Sequence, residues 1–195
     1  HGITALMRAI GNNQPEIAKK ILDRDNVHVN LKSQHGITAL MWAIDKNQPE
    51  IATQILYRDD VDINIQNKDG DTVLIWAISK NQIDIAIQIL KRDDVDVKLK
   101  NQHGTTALMF AIHRNQSEIV TQILDKDGVD INIQNEDGYT VLMWAIHQNQ
   151  PEIATKILDK DGVDVNIQQK EGITALIIAI DNNQPDIAKQ ILDKD

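Results

Sequence analysis

A phrase of the form Gly-x-Thr-x-Leu recurs every 34 residues along the chain, and it constrains the fold more than any other feature. The glycines that open it are Gly2, Gly36, Gly70, Gly104, Gly138 and Gly172. An Asn-Gln pair, a second apolar segment, an acidic turn and a short alternating stretch follow in order. A unit of this length is too small to bury its own apolar face, so neighbouring units must stack. We therefore expect a single repeat array over residues 1–195, with its last unit incomplete.

Each unit is predicted to contain two short helices. Thr4 is a suitable N-cap for the first helix, which should end near Asn13, because asparagine tolerates a left-handed backbone. Proline is favoured at the first position of a helix, so the second helix should begin directly after the Asn-Gln pair. All four prolines occupy that place: Pro15, Pro49, Pro151 and Pro185. The alternating stretch reaches Asp69-Gly70, which predicts an extended arm with a tight turn at its tip. The predicted fold class is α, a helix-turn-helix repeat solenoid with short extended hairpin arms.

The repeated unit resembles the ankyrin repeat. The segment NKDGDTVLIWAISKNQIDIAIQIL, followed by VDVK, is similar to that family's pattern of D-G-x-T-P-L-H-x-A-A, a second helix and G-A-D-V-N. The departures are consistent: the family's Pro is Ala or Val, its His is Met or Ile, and its Gly-His is Asn-Gln. The period is 34 residues rather than the usual 33. The resemblance covers the whole chain, implies a solenoid that binds other proteins, and favours an intracellular location.

Aromatic residues occupy one position of the repeat in four of the six units. They are Trp42, Trp76, Phe110 and Trp144, with Arg8 and Ile178 at the equivalent places in the first and last units. At about 100° per residue, Trp42 lies about 200° around its helix from Leu40, whereas Ala43 and Ile44 lie on the same side as Leu40. We expect Leu40, Ala43 and Ile44 to face the core and the aromatic row to lie on the opposite side.

Two interpretations of the aromatic row stay open. In the first, the rings only pack between neighbouring helices; in the second, they line a groove that binds a partner. The resemblance places this side of the first helix in the concave groove, beside the turn tips. The polar groove candidates are Asp45, Lys46, Lys80, His113, Arg114 and His147. The candidate turn-tip contacts are His35, Ile37, Asp69, Asp71, His103, Thr105, Asp137 and Tyr139.

The function favoured by the resemblance is a protein–protein interaction scaffold whose partner is a protein or an extended peptide. The main alternative is structural, because neither end carries a polar cap and such ends can stack into a filament. The chain opens in mid-pattern, so we expect it to be a piece of a longer array. A targeting arm of an enzyme outside this segment, and rings that stack on nucleobases, are weaker alternatives.

Composition argues against several other classes of function. A net charge of −9 disfavours nucleic acid as a partner, and no apolar run approaches the length of a membrane span. The chain has no cysteine, and no catalytic set interrupts the repeat, so we expect neither an enzyme nor a cofactor. The acidic stretch from Asp125 to Glu136 lacks the glycine that a calcium loop needs. His1, His35 and His103 occupy a variable turn position, and no metal site is expected.

Overall fold

The computed structural model describes residues 2–194, and these residues form twelve α-helices, two in each repeat. The helices are α1 Ala5–Gly11, α2 Pro15–Leu22, α3 Ala39–Asp45, α4 Pro49–Leu56, α5 Val73–Ser79, α6 Ile83–Leu90, α7 Ala107–His113, α8 Ser117–Leu124, α9 Val141–His147, α10 Pro151–Leu158, α11 Ala175–Asp181 and α12 Pro185–Leu192. The predicted fold class is confirmed. None of these helices is long and apolar enough to cross a membrane.

The chain divides into two compact units, His1–Gln102 and His103–Asp195, with three repeats in each. Inside each unit, the first helices of successive repeats pack on one another, and so do the second helices. The two helices of one repeat also pack together, which gives two layers of helices in each unit. A single array over the whole chain stays a prediction.

Both helices of the repeat begin as the sequence predicts. The Thr4 hydroxyl accepts a hydrogen bond from the Met7 amide at 3.2 Å, and Thr38 caps the Met41 amide at 3.3 Å in the next repeat. The equivalent threonine caps every first helix. Each proline stands at the start of a second helix, where its missing N–H leaves no intrahelical bond unmade.

The Asn-Gln pair fixes the turn between the two helices and joins neighbouring repeats. All six asparagines adopt a left-handed conformation with φ between 51° and 57°. The glutamine then reaches back to the preceding repeat, where Gln82 Nε2 donates to the Ile44 carbonyl at 2.7 Å and to Asn47 Oδ1 at 3.2 Å. Gln48 makes the same pair of bonds at 3.0 and 3.1 Å. In the second unit, Gln184 repeats them at 2.8 and 3.2 Å. The pair is therefore a connector between repeats as well as a turn.

The core of each unit consists of small and aliphatic side chains from both helix layers. In α3, Leu40, Ala43 and Ile44 are all buried, as the helical spacing predicts. In α4, Ile51, Ala52, Ile55 and Leu56 are buried against them. Ala43, Ala77, Ala111 and Ala145 recur at one position of the first helices and are all fully buried, so small side chains separate the packed helices there.

Tight turns at the tips of the arms connect successive repeats. In the first unit, the Asn67 amide donates to the Asp71 carbonyl at 3.0 Å and the Gly70 amide donates to the Asn67 carbonyl at 3.1 Å. Gly70 has a φ of +81°, and a Cβ there would lie 2.8 Å from the Cα of Asn101 on the next arm. Any larger residue at Gly70 would be both strained and in contact with backbone. The turn glycine is therefore required by conformation and by the stacking of the arms.

Large apolar side chains are exposed in the first and last repeats. Ile3, Ile17 and Leu31 are 37%, 48% and 51% exposed in the first repeat. In the last repeat, Ile177, Ile180 and Leu192 are 41%, 63% and 56% exposed. In the inner repeats, the positions equivalent to Ile17, Ile177, Ile180 and Leu192 are buried, as Ile51 and Leu56 show, because a neighbouring repeat packs there. The positions equivalent to Ile3 and Leu31 are only partly buried in those repeats.

Candidate functional site

In the first unit, the two tryptophans of the aromatic row are neither core residues nor free surface residues. Trp42 on α3 and Trp76 on α5 are both partly buried, and the indole nitrogen of Trp76 is buried. Trp42 packs closely on the first repeat, since a Cβ on Gly11 would lie 2.5 Å from its Cζ3 atom. Each ring therefore contributes both packing area and an accessible face.

A network of charged side chains spans the two tryptophans. Asp45 accepts from Lys80 Nζ at 2.7 Å and lies 3.2 Å from Lys46 Nζ. The Lys46 ammonium lies 5.9 Å from the centroid of the Trp42 ring, and the Lys80 ammonium lies 5.7 Å from that of Trp76. Both distances are within the range of a cation–π contact. Asp45 thus holds two cations over two aromatic faces.

The electrostatics of Asp45 follow from this arrangement. The hydrogen bond from Lys80 lowers the pKa of Asp45 below its ordinary value of 3.8, and the contact with Lys46 adds to this. Partial burial acts in the opposite direction, but more weakly than the Lys80 bond. The carboxylate is therefore ionised at neutral pH and keeps both lysines in place.

A cleft of about 510 Å³ lies beside the two rings in the first unit. Trp42, Trp76, Ile3 and Ile37 supply apolar surface, while Asp45, Lys46, His35, Asp69, Ser33 and Gln34 supply polar surface. The cleft thus brings predicted groove residues together with predicted turn-tip residues. An apolar floor with a polar rim is the common anatomy of a protein-binding surface.

The second unit has a different aromatic arrangement around Trp144, which is partly buried. The Trp144 centroid lies 5.4 Å from that of Tyr139, 5.6 Å from that of His113 and 6.1 Å from that of His147. Both histidine rings meet the indole nearly at right angles, at 79° and 86°. Trp144, Tyr139 and His147 line a cleft of about 370 Å³ together with Asp137, Gln169, Lys170 and Glu171. Predicted groove and turn-tip residues again share one cleft.

The remaining groove candidates differ in exposure. Arg8 and Arg114 are exposed, and Phe110 is partly buried. Ile178 is only 7% exposed and is a core residue rather than a surface of the row. Ile178 is a groove candidate from the sequence, and its burial leaves little of its side chain for a partner to contact.

The turn-tip candidates fall into two groups. His35, Asp69, His103 and Asp137 stand at one position of the turn and are exposed. Ile37, Asp71, Thr105 and Tyr139 stand two residues later and are partly buried. In the second unit, His103 Nδ1 lies 3.1 Å from Glu136 Oε2 on the next arm. The equivalent His1 lies outside the described residues.

Sequence reasoning missed two features of these clefts. The lysines that lie over Trp42 and Trp76 follow them by four residues, and this Trp-x-x-x-Lys spacing is the signal that predicts their contact on one helix face. Ile3 and Ser33 lie far apart in the sequence and join the first cleft only through stacking. Among residues 2–194, no group of three or more His, Cys, Asp or Glu side chains is arranged to hold a metal ion.

Comparison with known proteins gives one consistent family. The model of ankyrin repeats in three copies matches residues 1–67, 53–135 and 115–195. The ankyrin repeat protein EF0377 has a similar structure, with a TM-score of 0.83, 27% identity and 98% of each chain covered. An ankyrin repeat domain from Acinetobacter baumannii AYE has a TM-score of 0.81 and 29% identity, with 96% of each chain covered.

A third similar structure comes from a protein–protein complex. It is a chain from the Bd0816 predatory endopeptidase of Bdellovibrio bacteriovorus in complex with the immunity protein Bd3460. The TM-score is 0.78 and the identity is 25%, with 100% of both chains covered. A comparison with curated protein sequences found no match.

Proposed function

Because the chain belongs to the ankyrin repeat family, we propose that it is a protein–protein interaction module that binds its partner through the clefts and turn tips described above. The observation that carries this proposal is the partly buried pair Trp42 and Trp76 beside a cleft of about 510 Å³. Tryptophan is enriched among the residues that dominate binding energy, because it buries a large area with few rotatable bonds. The module acts by binding alone, with no catalytic step.

Charge and family both support a protein partner. Repeats of this family are commonly protein-interaction modules, and one similar structure comes from a complex of two proteins. The net charge of −9 attracts partners with basic surfaces, and this attraction acts mainly on the rate of association. The same charge opposes a nucleic acid partner, since phosphate groups are repelled.

The test is selection of binding peptides or proteins from a displayed library, followed by two matched variants. Trp76→Ala removes a ring from the cleft, and Tyr57→Ala removes a ring that is 79% exposed at the end of α4, outside the cleft lining. We expect Trp76→Ala to weaken binding by about 30-fold or more, the effect of losing about 2 kcal/mol, and Tyr57→Ala by less than about threefold.

The stability of both variants must be measured at the same time. Trp76 is only partly buried, so its removal should cost less than the ~3–5 kcal/mol of a core tryptophan. Binders that tolerate Trp76→Ala and Trp42→Ala would refute the cleft as the binding surface. A large loss of stability without a specific loss of binding would assign the rings to packing alone.

A second possibility is assembly end to end. Ile180 and Leu192, which are 63% and 56% exposed, support it because apolar surfaces of this kind associate readily. The comparisons give it no support, and it stays a hypothesis. Light scattering over a range of protein concentrations tests it, and a constant monomer mass would reject it.

A further inference from the structure

The residue four places after each tryptophan of the row decides whether its ring face already carries a cation. Lys46 follows Trp42 and Lys80 follows Trp76, and each ammonium lies within 6 Å of the ring centroid, at 5.9 and 5.7 Å. The equivalent residue after Trp144 is Gln148, which is neutral. The first unit therefore shows that ring faces at this place in the repeat accept an ammonium group, and Trp144 has no such lysine of its own.

Trp144 belongs to a cluster of aromatic rings, and such a cluster attracts a positive charge more strongly than a single ring does. Trp144, Tyr139 and His147 have centroids 5.4–6.3 Å apart. Their planes are inclined by 45° between Tyr139 and Trp144, 72° between Tyr139 and His147, and 86° between Trp144 and His147. Rings inclined in this way present several π-faces or edges to one volume, and the electron-rich faces of Trp and Tyr attract a cation.

The charged residues that line the same cleft also favour a positively charged group. Asp137 and Glu171 are both exposed carboxylates on its rim, against the single ammonium of Lys170 among the lining residues of this cleft. Carboxylates beside aromatic faces can pair with the polar head of a lysine or arginine while the rings contact its alkyl or planar part.

We propose that the Trp144 cleft binds a lysine or arginine side chain of the partner protein. The inference rests on the proposed function, since it names the chemistry that the partner presents to the second unit. Lysine at the first unit's tryptophans acts as a built-in occupant of the same kind. The two units therefore differ in role: each tryptophan of the first cleft has a lysine of this chain over part of its ring, whereas the second cleft takes its cation from the partner.

The test uses small probes and the indole N–H signals in ¹H–¹⁵N spectra of the whole chain. The probes are Nα-acetyl-arginine amide and Nα-acetyl-lysine amide, with Nα-acetyl-citrulline amide as a neutral mimic of arginine. We expect both cationic probes to shift the Trp144 signal in a dose-dependent manner, with citrulline leaving it in place. The Trp42 and Trp76 signals should shift less, because the Lys46 and Lys80 ammonium groups already lie over those rings and repel a second cation.

Two reciprocal variants control the experiment. Gln148→Lys gives Trp144 the same lysine that Trp42 and Trp76 have, and it stands at the C-cap of α9, where a positive charge suits the helix dipole. This variant should keep its fold and reduce the Trp144 response at least about tenfold. Lys80→Gln should increase the response of the Trp76 signal to the cationic probes.

The outcomes separate this inference from the function on which it rests. A Trp144 signal that ignores the cationic probes, or that moves equally with citrulline, would overturn the cationic subsite. An undiminished response in Gln148→Lys would overturn the role of the ring face. The probe experiment needs no partner, so its failure leaves the library test with Trp76→Ala to decide the interaction module by itself.

Discussion

Substitutions at Asn47, in the Asn-Gln pair, can separate the effect of its left-handed backbone from the effect of its side-chain hydrogen bond. Asn47 has a φ of 51°, and its Oδ1 accepts from Gln82 Nε2 at 3.2 Å. Asn47→Ala removes this acceptor and also forces an ordinary residue into the left-handed region. Asn47→Gly removes the same acceptor but keeps a residue that adopts this conformation freely.

The magnitudes follow from the two contributions. The left-handed backbone costs an ordinary residue about 1–2 kcal/mol, and a typical hydrogen bond contributes about 0.5–1.5 kcal/mol net. We therefore expect Asn47→Ala to lower the free energy of unfolding by about 1.5–3 kcal/mol and Asn47→Gly by about 0.5–1.5 kcal/mol. Asn12→Ala is the matched control, because Asn12 is an exposed asparagine at an ordinary φ of −88°.

The assay is urea unfolding of each variant, followed by circular dichroism, and a double-mutant cycle with Gln82→Ala. Gln82→Ala should cost less in the Asn47→Gly background than in the original chain, because one of its two hydrogen bonds is already lost. Equal losses for Asn47→Ala and Asn47→Gly would refute the conformational argument. An unchanged cost of Gln82→Ala in the two backgrounds would refute the contribution of the Gln82–Asn47 bond to the connection between repeats.

Two further predictions concern the first cleft. The pKa of Asp45 is lowered chiefly by Lys80, so its contribution to stability is present above the ordinary pKa of 3.8 and is lost as pH falls through the lowered folded value. Lys80→Gln should raise the pKa of Asp45, as measured by an NMR titration of its carboxyl carbon. The stability cost should be at most ~1 kcal/mol, because the ion pair is solvated. An unchanged pKa would show that Lys80 is not the main cause of the lowered pKa of Asp45. Gly11→Ala should lower the urea midpoint of unfolding, because the new Cβ would lie 2.5 Å from Trp42 Cζ3, and this overlap outweighs the gain of up to ~1 kcal/mol from removing a helical glycine. The same change should alter the fluorescence emission of Trp42, measured in a chain whose other tryptophans are replaced by phenylalanine. A raised midpoint with unchanged emission would contradict that packing.

The sequence predicted the elements of the repeat because their signals are local. Threonine caps, prolines that begin helices and left-handed asparagines each act within a few residues, so every one was predictable without knowledge of the packing. The same holds for the buried side of α3, where Leu40, Ala43 and Ile44 recur at helical spacing. Family membership follows from the same local pattern, since the repeat recurs over the whole chain.

Only the tertiary structure decided which side chains meet, because those partners lie a full repeat or more apart. Gln82 finds Ile44 and Asn47 only when two repeats stack in register, and the bridge from Lys80 to Asp45 forms for the same reason. The burial of Ile178, which occupies a position of the aromatic row, also depends on its surroundings rather than on its spacing. Trp76 and Trp144 share a position but not an environment, and the reason is partly local, since Lys80 lies four residues after Trp76 and Tyr139 lies five residues before Trp144. Stacking adds His113, which contacts Trp144 from the preceding repeat.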